Sequence, residues 1–138
     1  MITAIDTNVL LDVLIPNEEF FARSLRAVDE AASLGSLVIC DPVYGELCIH
    51  FQTQRECDEF LHAAEIRVEP LDRAARFMAS RIWRKHRQQG GTRARILADF
   101  LVGAHAQTQA NRLLSRDRGF YGKLFPSLQV VDPSRGDA

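Results

Sequence analysis

The chain has 138 residues, 46% of them hydrophobic and 25% charged, and a formal net charge of −1. That length suits one domain with a real core, and the composition excludes disordered, collagen-like and coiled-coil chains. No apolar run approaches the ~20 residues of a membrane span, since Val9–Ile15 is already broken by Asp12. Asp6 sits inside the first apolar stretch with no basic segment before it, which argues against a signal peptide. The expectation is a single cytoplasmic domain over residues 1–138, with no membrane partner and a frayed polar tail at 133–138.

In chain order, Ile2–Ile5 reads as a strand ending at Asp6-Thr7-Asn8, where Thr7 or Asn8 can cap an apolar helix that Pro16 stops. Phe21, Leu25, Val28 and Ala32 recur at helical spacing, with Gly35 as the stop. Leu37–Cys40 is a buried-strand run, and Asp41-Pro42 opens a helix that carries Glu46. A short helix over Glu56–Glu65 and a strand at Ile66–Val68 follow. Asp72 then caps a long helix with Phe77, Met78 and Ile82 on one face, broken at Gly90-Gly91. Ile96, Leu97, Phe100, Leu101 and Ala104 define a helix with Asp99 in its first turn. Leu113–Ser115 and Leu128–Val131 read as the fourth and fifth strands. Strands alternating with helices predict a three-layer α/β/α sandwich around a mainly parallel five-stranded sheet.

Charge is distributed unevenly. Residues 1–72 hold 14 acids and 4 bases, whereas residues 73–138 hold 4 acids and 13 bases. Eight bases and no acid fall within 73–95. Such a run is either a solvated helix face, a footprint for a phosphate backbone such as RNA or a docking face for an acidic partner, with Arg84, Arg87, Arg93 and Arg95 as the candidate contacts. The three cysteines show no Cys-x-x-Cys spacing and the four histidines no His-x-x-x-His pair. A disulfide framework and a zinc site are therefore not expected.

The chemistry falls to the acids. In open α/β sheets ligands bind beyond the carboxyl ends of the strands, where strand order reverses. Asp6 and Asp117 follow strands, and Glu46 and Asp99 lie in early turns of helices at the same edge. Taken singly, each has an ordinary explanation as a turn, cap or helix-dipole acid. Gathered in one pocket they repel, by roughly 4 kcal/mol per pair ~4 Å apart at an effective dielectric of 20, and must take up protons or bind a cation. Oxygen ligands without His or Cys favour Mg²⁺ or Mn²⁺, which suits phosphodiester hydrolysis.

Four stretches together make the chain resemble the PIN-domain nucleases, and among them the VapC-like toxins of type II toxin–antitoxin pairs. They are Ile5-Asp6-Thr7-Asn8-Val9-Leu10, the helix with Glu46, Ile96 to Ala106 around Asp99, and Leu114-Ser115-Arg116-Asp117. The closing Phe120 to Pro133 stretch is similar to this group as well. The resemblance implies a PIN-type sandwich and metal-binding, catalytic acids at Asp6, Glu46, Asp99 and Asp117, with Asn8 and Ser115 as supporting polar groups. It further implies a Mg²⁺- or Mn²⁺-dependent endoribonuclease that cuts tRNA or rRNA to 5′-phosphate and 3′-hydroxyl ends. A homodimer and a small cognate antitoxin are the implied partners. Two other readings share the fold: an RNA-processing nuclease with no antitoxin, and a non-catalytic RNA-binding or scaffold protein. A phosphotransfer or receiver protein fits less well, because Asp6-Thr7-Asn8 lacks a second Asp and no acidic pair follows the first strand.

Overall fold

In the computed structural model, residues 1–90 and 97–135 are described. They form strands β1 (Ile2–Ile5), β2 (Ser36–Ile39), β3 (Ile66–Val68), β4 (Arg112–Leu114) and β5 (Val130–Val131). Between and after these run helices α1 (Thr7–Leu14), α2 (Phe21–Leu34), α3 (Asp41–Cys48), α4 (Gln54–Ala63), α5 (Arg73–Gln88), α6 (Leu97–Gln109) and α7 (Arg118–Leu124). The five strands make one sheet in the order β3-β2-β1-β4-β5, every pairing parallel. Consecutive strand residues such as Leu37, Val38 and Ile39 point to opposite faces, yet all are buried, so helices cover both faces. The expected α/β sandwich is present, and its sheet is wholly parallel.

The topology decides where a ligand can bind. From β1 the chain moves outward through β2 to β3, then returns to the other side of β1 as β4 and β5. Strand order therefore reverses between β1 and β4, which pair with Ile5 opposite Leu114. The Asp6 N–H continues that ladder to the Leu114 carbonyl at 2.9 Å. In open parallel sheets the ligand-binding crevice lies at such a reversal, here directly beyond Asp6 and Ser115.

Several local expectations change. Asp6 caps α1, accepting from the Thr7 N–H at 2.8 Å, so neither Thr7 nor Asn8 takes that role. Asp72 caps α5 as expected, bonding the Ala75 N–H at 2.7 Å. Phe77 does not share the inward face of α5: it is 61% exposed, and Ala75 and Ala79 fill the contact instead. Met78 and Ile82 are half-buried on the inward stripe as expected, and Phe77 falls outside it. Leu97 likewise faces outward, while Phe100 and Val102 to Ala106 form the buried part of α6. Helix α7 was not legible from periodicity because Gly119 and Gly122 interrupt it. Beyond Val131 the chain is anchored rather than frayed through Arg135. Pro133 is buried, Asp132 accepts from the Ser134 N–H at 2.9 Å, and Arg23 bonds the Ser134 carbonyl at 2.6 Å.

Gly103 shows how tightly α6 is seated. A Cβ there would stand 2.6 Å from Cζ of the buried Phe125 ring. Gly103→Ala is expected to lower unfolding free energy in urea by about 1–3 kcal/mol, the usual cost of overpacking. Gly122→Ala, where a Cβ meets nothing within 4 Å, is the control and should be neutral or slightly stabilising.

Candidate active site

Asp6 is the most constrained of the sequence-predicted acids. It closes β1 and opens α1, and it is 9% exposed. One carboxylate oxygen accepts from the Thr7 N–H. The other accepts from the Ser115 hydroxyl at 2.8 Å and the Tyr121 hydroxyl at 3.1 Å, with the Asn8 amide at 3.5 Å. All of these donors are neutral. Burial raises the Asp6 pKa above its ordinary value, the hydrogen bonds from Ser115, Thr7 and Tyr121 pull it back, and the charge of Asp99 pushes it up. Asp99, in the first turn of α6, is thus close enough to be felt by Asp6.

Ser115 ties the two halves of the crevice together. Its hydroxyl donates to Asp6 and accepts from the Asp117 N–H at 3.0 Å. Asn8 spans the same gap, its side-chain oxygen accepting from the Arg116 N–H at 3.1 Å. Both supporting residues therefore act on backbone and carboxylate geometry at the switch point. Asp117 precedes α7 without capping it, so the ordinary helix-cap explanation does not account for its carboxylate. Glu46 stands on the exposed side of α3 and accepts from the Thr7 hydroxyl at 3.1 Å, one residue along from Asp6.

Tyr121 was not anticipated. Its buried hydroxyl donates to Asp6, and its pKa is driven far up by burial, then by the charges of Asp6, Asp99 and Asp117. Tyr121 is therefore a permanent donor that senses three of the four predicted acids. The signal was available in the spacing: Tyr121 lies four residues after Asp117, one helical turn away, but only once α7 is recognised. Tyr121→Phe should leave the fold intact and remove one bond that favours the ionised Asp6. Activity is expected to fall roughly 10-fold, within the range for groups that orient a metal ligand, with a higher divalent-ion requirement. Unchanged metal dependence in a titration of initial rates would refute that role.

The structure thus brings Asp99 within electrostatic reach of Asp6, places Asp6, Asp99 and Asp117 within reach of Tyr121, and links Glu46 to the same corner through Thr7. Among the described residues, no group of three or more His, Cys, Asp or Glu side chains is placed to hold a metal ion, so the expected four-acid cluster is not assembled as one shell. A carboxylate pair such as Asp6 and Asp99 would still suffice for a hard divalent cation that takes one or two carboxylates and fills its remaining positions with water and substrate phosphate. A buried carboxylate held by neutral donors and repelled by a second carboxylate also has an electrostatic deficit that a cation offsets. Thiolate chemistry does not compete: Cys40, beside Asp6, is pushed up to about 12 by burial.

The family model for the PIN domain matches residues 3–123. The chain belongs to the PIN-domain family. Membership places it in a nuclease family whose members generally use divalent metal ions. Among solved structures, it is similar to a VapBC2 complex from Rickettsia felis bound to a promoter DNA fragment, with TM-score 0.71 and 16% identity over 96% of this chain and 98% of that one. VapBC-1 from nontypeable Haemophilus influenzae matches with TM-score 0.71 and 17% identity, covering 97% and 99% of the two chains. FitAcB from Neisseria gonorrhoeae matches with TM-score 0.68 and 19% identity, covering 96% and 98%. No curated protein matches the sequence. Among the described residues of this PIN domain, no helix is long and apolar enough to cross a membrane.

Proposed function

We propose that this PIN domain is a metal-dependent endoribonuclease and the toxin of a type II toxin–antitoxin pair. The observation that carries the reading is the buried Asp6, held by neutral donors at the β1/β4 switch point and opposed by Asp99. Asp6 and Asp99 would hold Mg²⁺, or Mn²⁺ in its place, with Glu46 and Asp117 completing the acidic catalytic set. Such an ion activates water and offsets charge on the attacked phosphate. The chain's own groups set the stage for it. Ser115 and Tyr121 fix one oxygen of Asp6, the Thr7 N–H fixes the other, and Asn8 holds the loop bearing Asp117. The products are 5′-phosphate and 3′-hydroxyl ends, and tRNA or rRNA is the substrate class.

Arg84 and Arg87 lie on α5, whose C-terminal end borders the site: the His86 ring is 5.6 Å from Phe100, the residue after Asp99. They are the proposed phosphate contacts on that side. Arg93 and Arg95 fall outside the described residues. The similarity to VapBC and toxin–antitoxin complexes supports a small antitoxin as partner; a cytoplasmic homodimer with one domain per chain is the remainder of the proposal. Purified protein should cut labelled tRNA or rRNA with Mg²⁺ or Mn²⁺, not with EDTA, and leave 5′-phosphates on mapped ends. Metal-independent cleavage, or salt-dependent binding without cleavage in either metal, would overturn the reading. Absence of a neighbouring reading frame for a small antitoxin would turn it toward RNA processing.

A further inference from the structure

The outer face of α5 carries features that neither the core nor the acidic site uses. Phe77 is 61% exposed and Trp83 36% exposed, in a helix whose packing needs only alanines at 75 and 79 for full burial. The Arg81 guanidinium lies over the Phe77 ring at 4.8 Å and that of Arg87 over Trp83 at 5.9 Å. A shallow groove of about 280 Å³ runs between them, lined by Phe77, Ser80, Arg81, Trp83 and Arg84. A merely solvated helix face would alternate charge sign at four-residue spacing. Helix α5 contains no acid, and among the described residues no carboxylate pairs with Arg81, Arg84 or Arg87. Arg76, by contrast, is tied to the Leu71 carbonyl at 2.8 and 3.2 Å.

We propose that this face is a platform for unpaired RNA. Phosphates lie along Arg81, Arg84 and Arg87, and bases stack on Phe77 and Trp83. Charge complementarity selects a polyanion, and the exposed rings select one whose base faces are accessible. In an A-form duplex those faces are buried in the stack, so the rings gain nothing from it. The platform points toward the acids. From the end of α5, His86 stacks near Phe100, Phe100 meets Phe120 edge-on at 5.3 Å, and Phe120 adjoins Tyr121, which touches Asp6. These interior contacts place the C-terminal end of α5, and so the end of the platform, near the helix that carries Asp99. The substrate class follows: unpaired segments such as loops and ends, rather than helical stems. This deepens the ribonuclease reading and rests on it.

Trp83 is the only tryptophan of the chain, so its fluorescence reports the platform directly. The probes are a short oligouridylate and a blunt RNA duplex of equal length, titrated in EDTA into wild type and into Asp6→Asn. Saturable quenching by oligouridylate and not by the duplex is expected. Phe77→Ala should weaken single-strand affinity about tenfold. Arg81→Gln with Arg84→Gln should flatten the log–log salt dependence by roughly 1.4, two single-strand phosphate contacts. Phe77 is exposed, so its variant folds; Trp83→Phe, which removes the fluorophore and is read by the anisotropy of a dye-labelled oligouridylate, is the second arm and should retain binding because a ring remains. Equal quenching by duplex, or undiminished affinity in Phe77→Ala, would overturn the proposal. So would fluorescence that changes with protein concentration alone, which would assign the face to a second copy of this chain. Cleavage plays no part in the readout. Quenching without cleavage in metal would sink the nuclease reading alone, and cleavage without quenching would sink the platform alone.

Discussion

Asp6→Asn is expected to reduce RNA cleavage by at least about a thousandfold, the scale for losing a preorganised electrostatic group, while leaving the fold intact. The asparagine keeps one oxygen for the Thr7 N–H and turns an amide toward the hydroxyls of Ser115 and Tyr121, which can rotate to accept. What disappears is the charge. Because burial raises the Asp6 pKa, the native state holds this proton more tightly than the unfolded chain does. As pH rises past the ordinary value of 3.8, the unfolded chain releases its proton first and stability falls. The penalty is complete once pH exceeds the raised native value, and it persists at neutrality. In EDTA, the Tm of Asp6→Asn minus that of wild type should therefore be small near pH 3 and grow as pH approaches 7. Adding Mg²⁺ should raise the wild-type Tm and not the variant's, because only the charged site binds the ion. A variant less stable than wild type at pH 7 in EDTA would show that Asp6 is a structural cap and that its charge is no liability.

The same residue shows what the sequence discloses and what it withholds. Asp6 and Asp117 were legible because both follow strands of a βα pattern, and the carboxyl edge of a parallel sheet is where such chemistry collects. Strand order was the missing variable, and the β1–β4 pairing supplies it. Tyr121 was hidden behind two glycines that mask α7, and Thr7 looked like a cap until Asp6 took that role. Phe77 misled for a different reason. Periodicity grouped it with Met78 and Ile82, which are half-buried against the core, but the inward stripe of α5 runs through Ala75 and Ala79 and leaves Phe77 outside. Charge counts located the basic segment, but they did not distinguish Arg76, bound to a carbonyl, from Arg81 and Arg87, poised over exposed rings.

Arg116→Ala should cost about 3–5 kcal/mol, the usual consequence of leaving a buried charge without its partner. Asp12 is 3% exposed and receives the Arg116 guanidinium through two bonds, at 2.8 and 3.2 Å, with the Ser24 hydroxyl at 2.7 Å. The guanidinium also lies over the Phe20 ring at 4.0 Å. One side chain thus clasps α1, the start of α2 and the loop after β4. Against a typical stability of about 5–15 kcal/mol, that loss brings the chain close to unfolding. Removing both partners in Arg116→Ala/Asp12→Ala should recover part of it, since no orphaned carboxylate remains, and a double-mutant cycle in urea measures the coupling. A cost below about 1 kcal/mol for the single variant would mean that water screens Asp12 as at an exposed pair. The pair also bears on the acids. Arg116 adjoins Ser115 in sequence, and its N–H bonds the Asn8 side chain at 3.1 Å, so the same residue fixes the loop beside Asp6. Engaged by Asp12 through two bonds, the guanidinium is committed to the α1–α2 junction, and loosening it should loosen the Asn8 contact to the loop that carries Ser115.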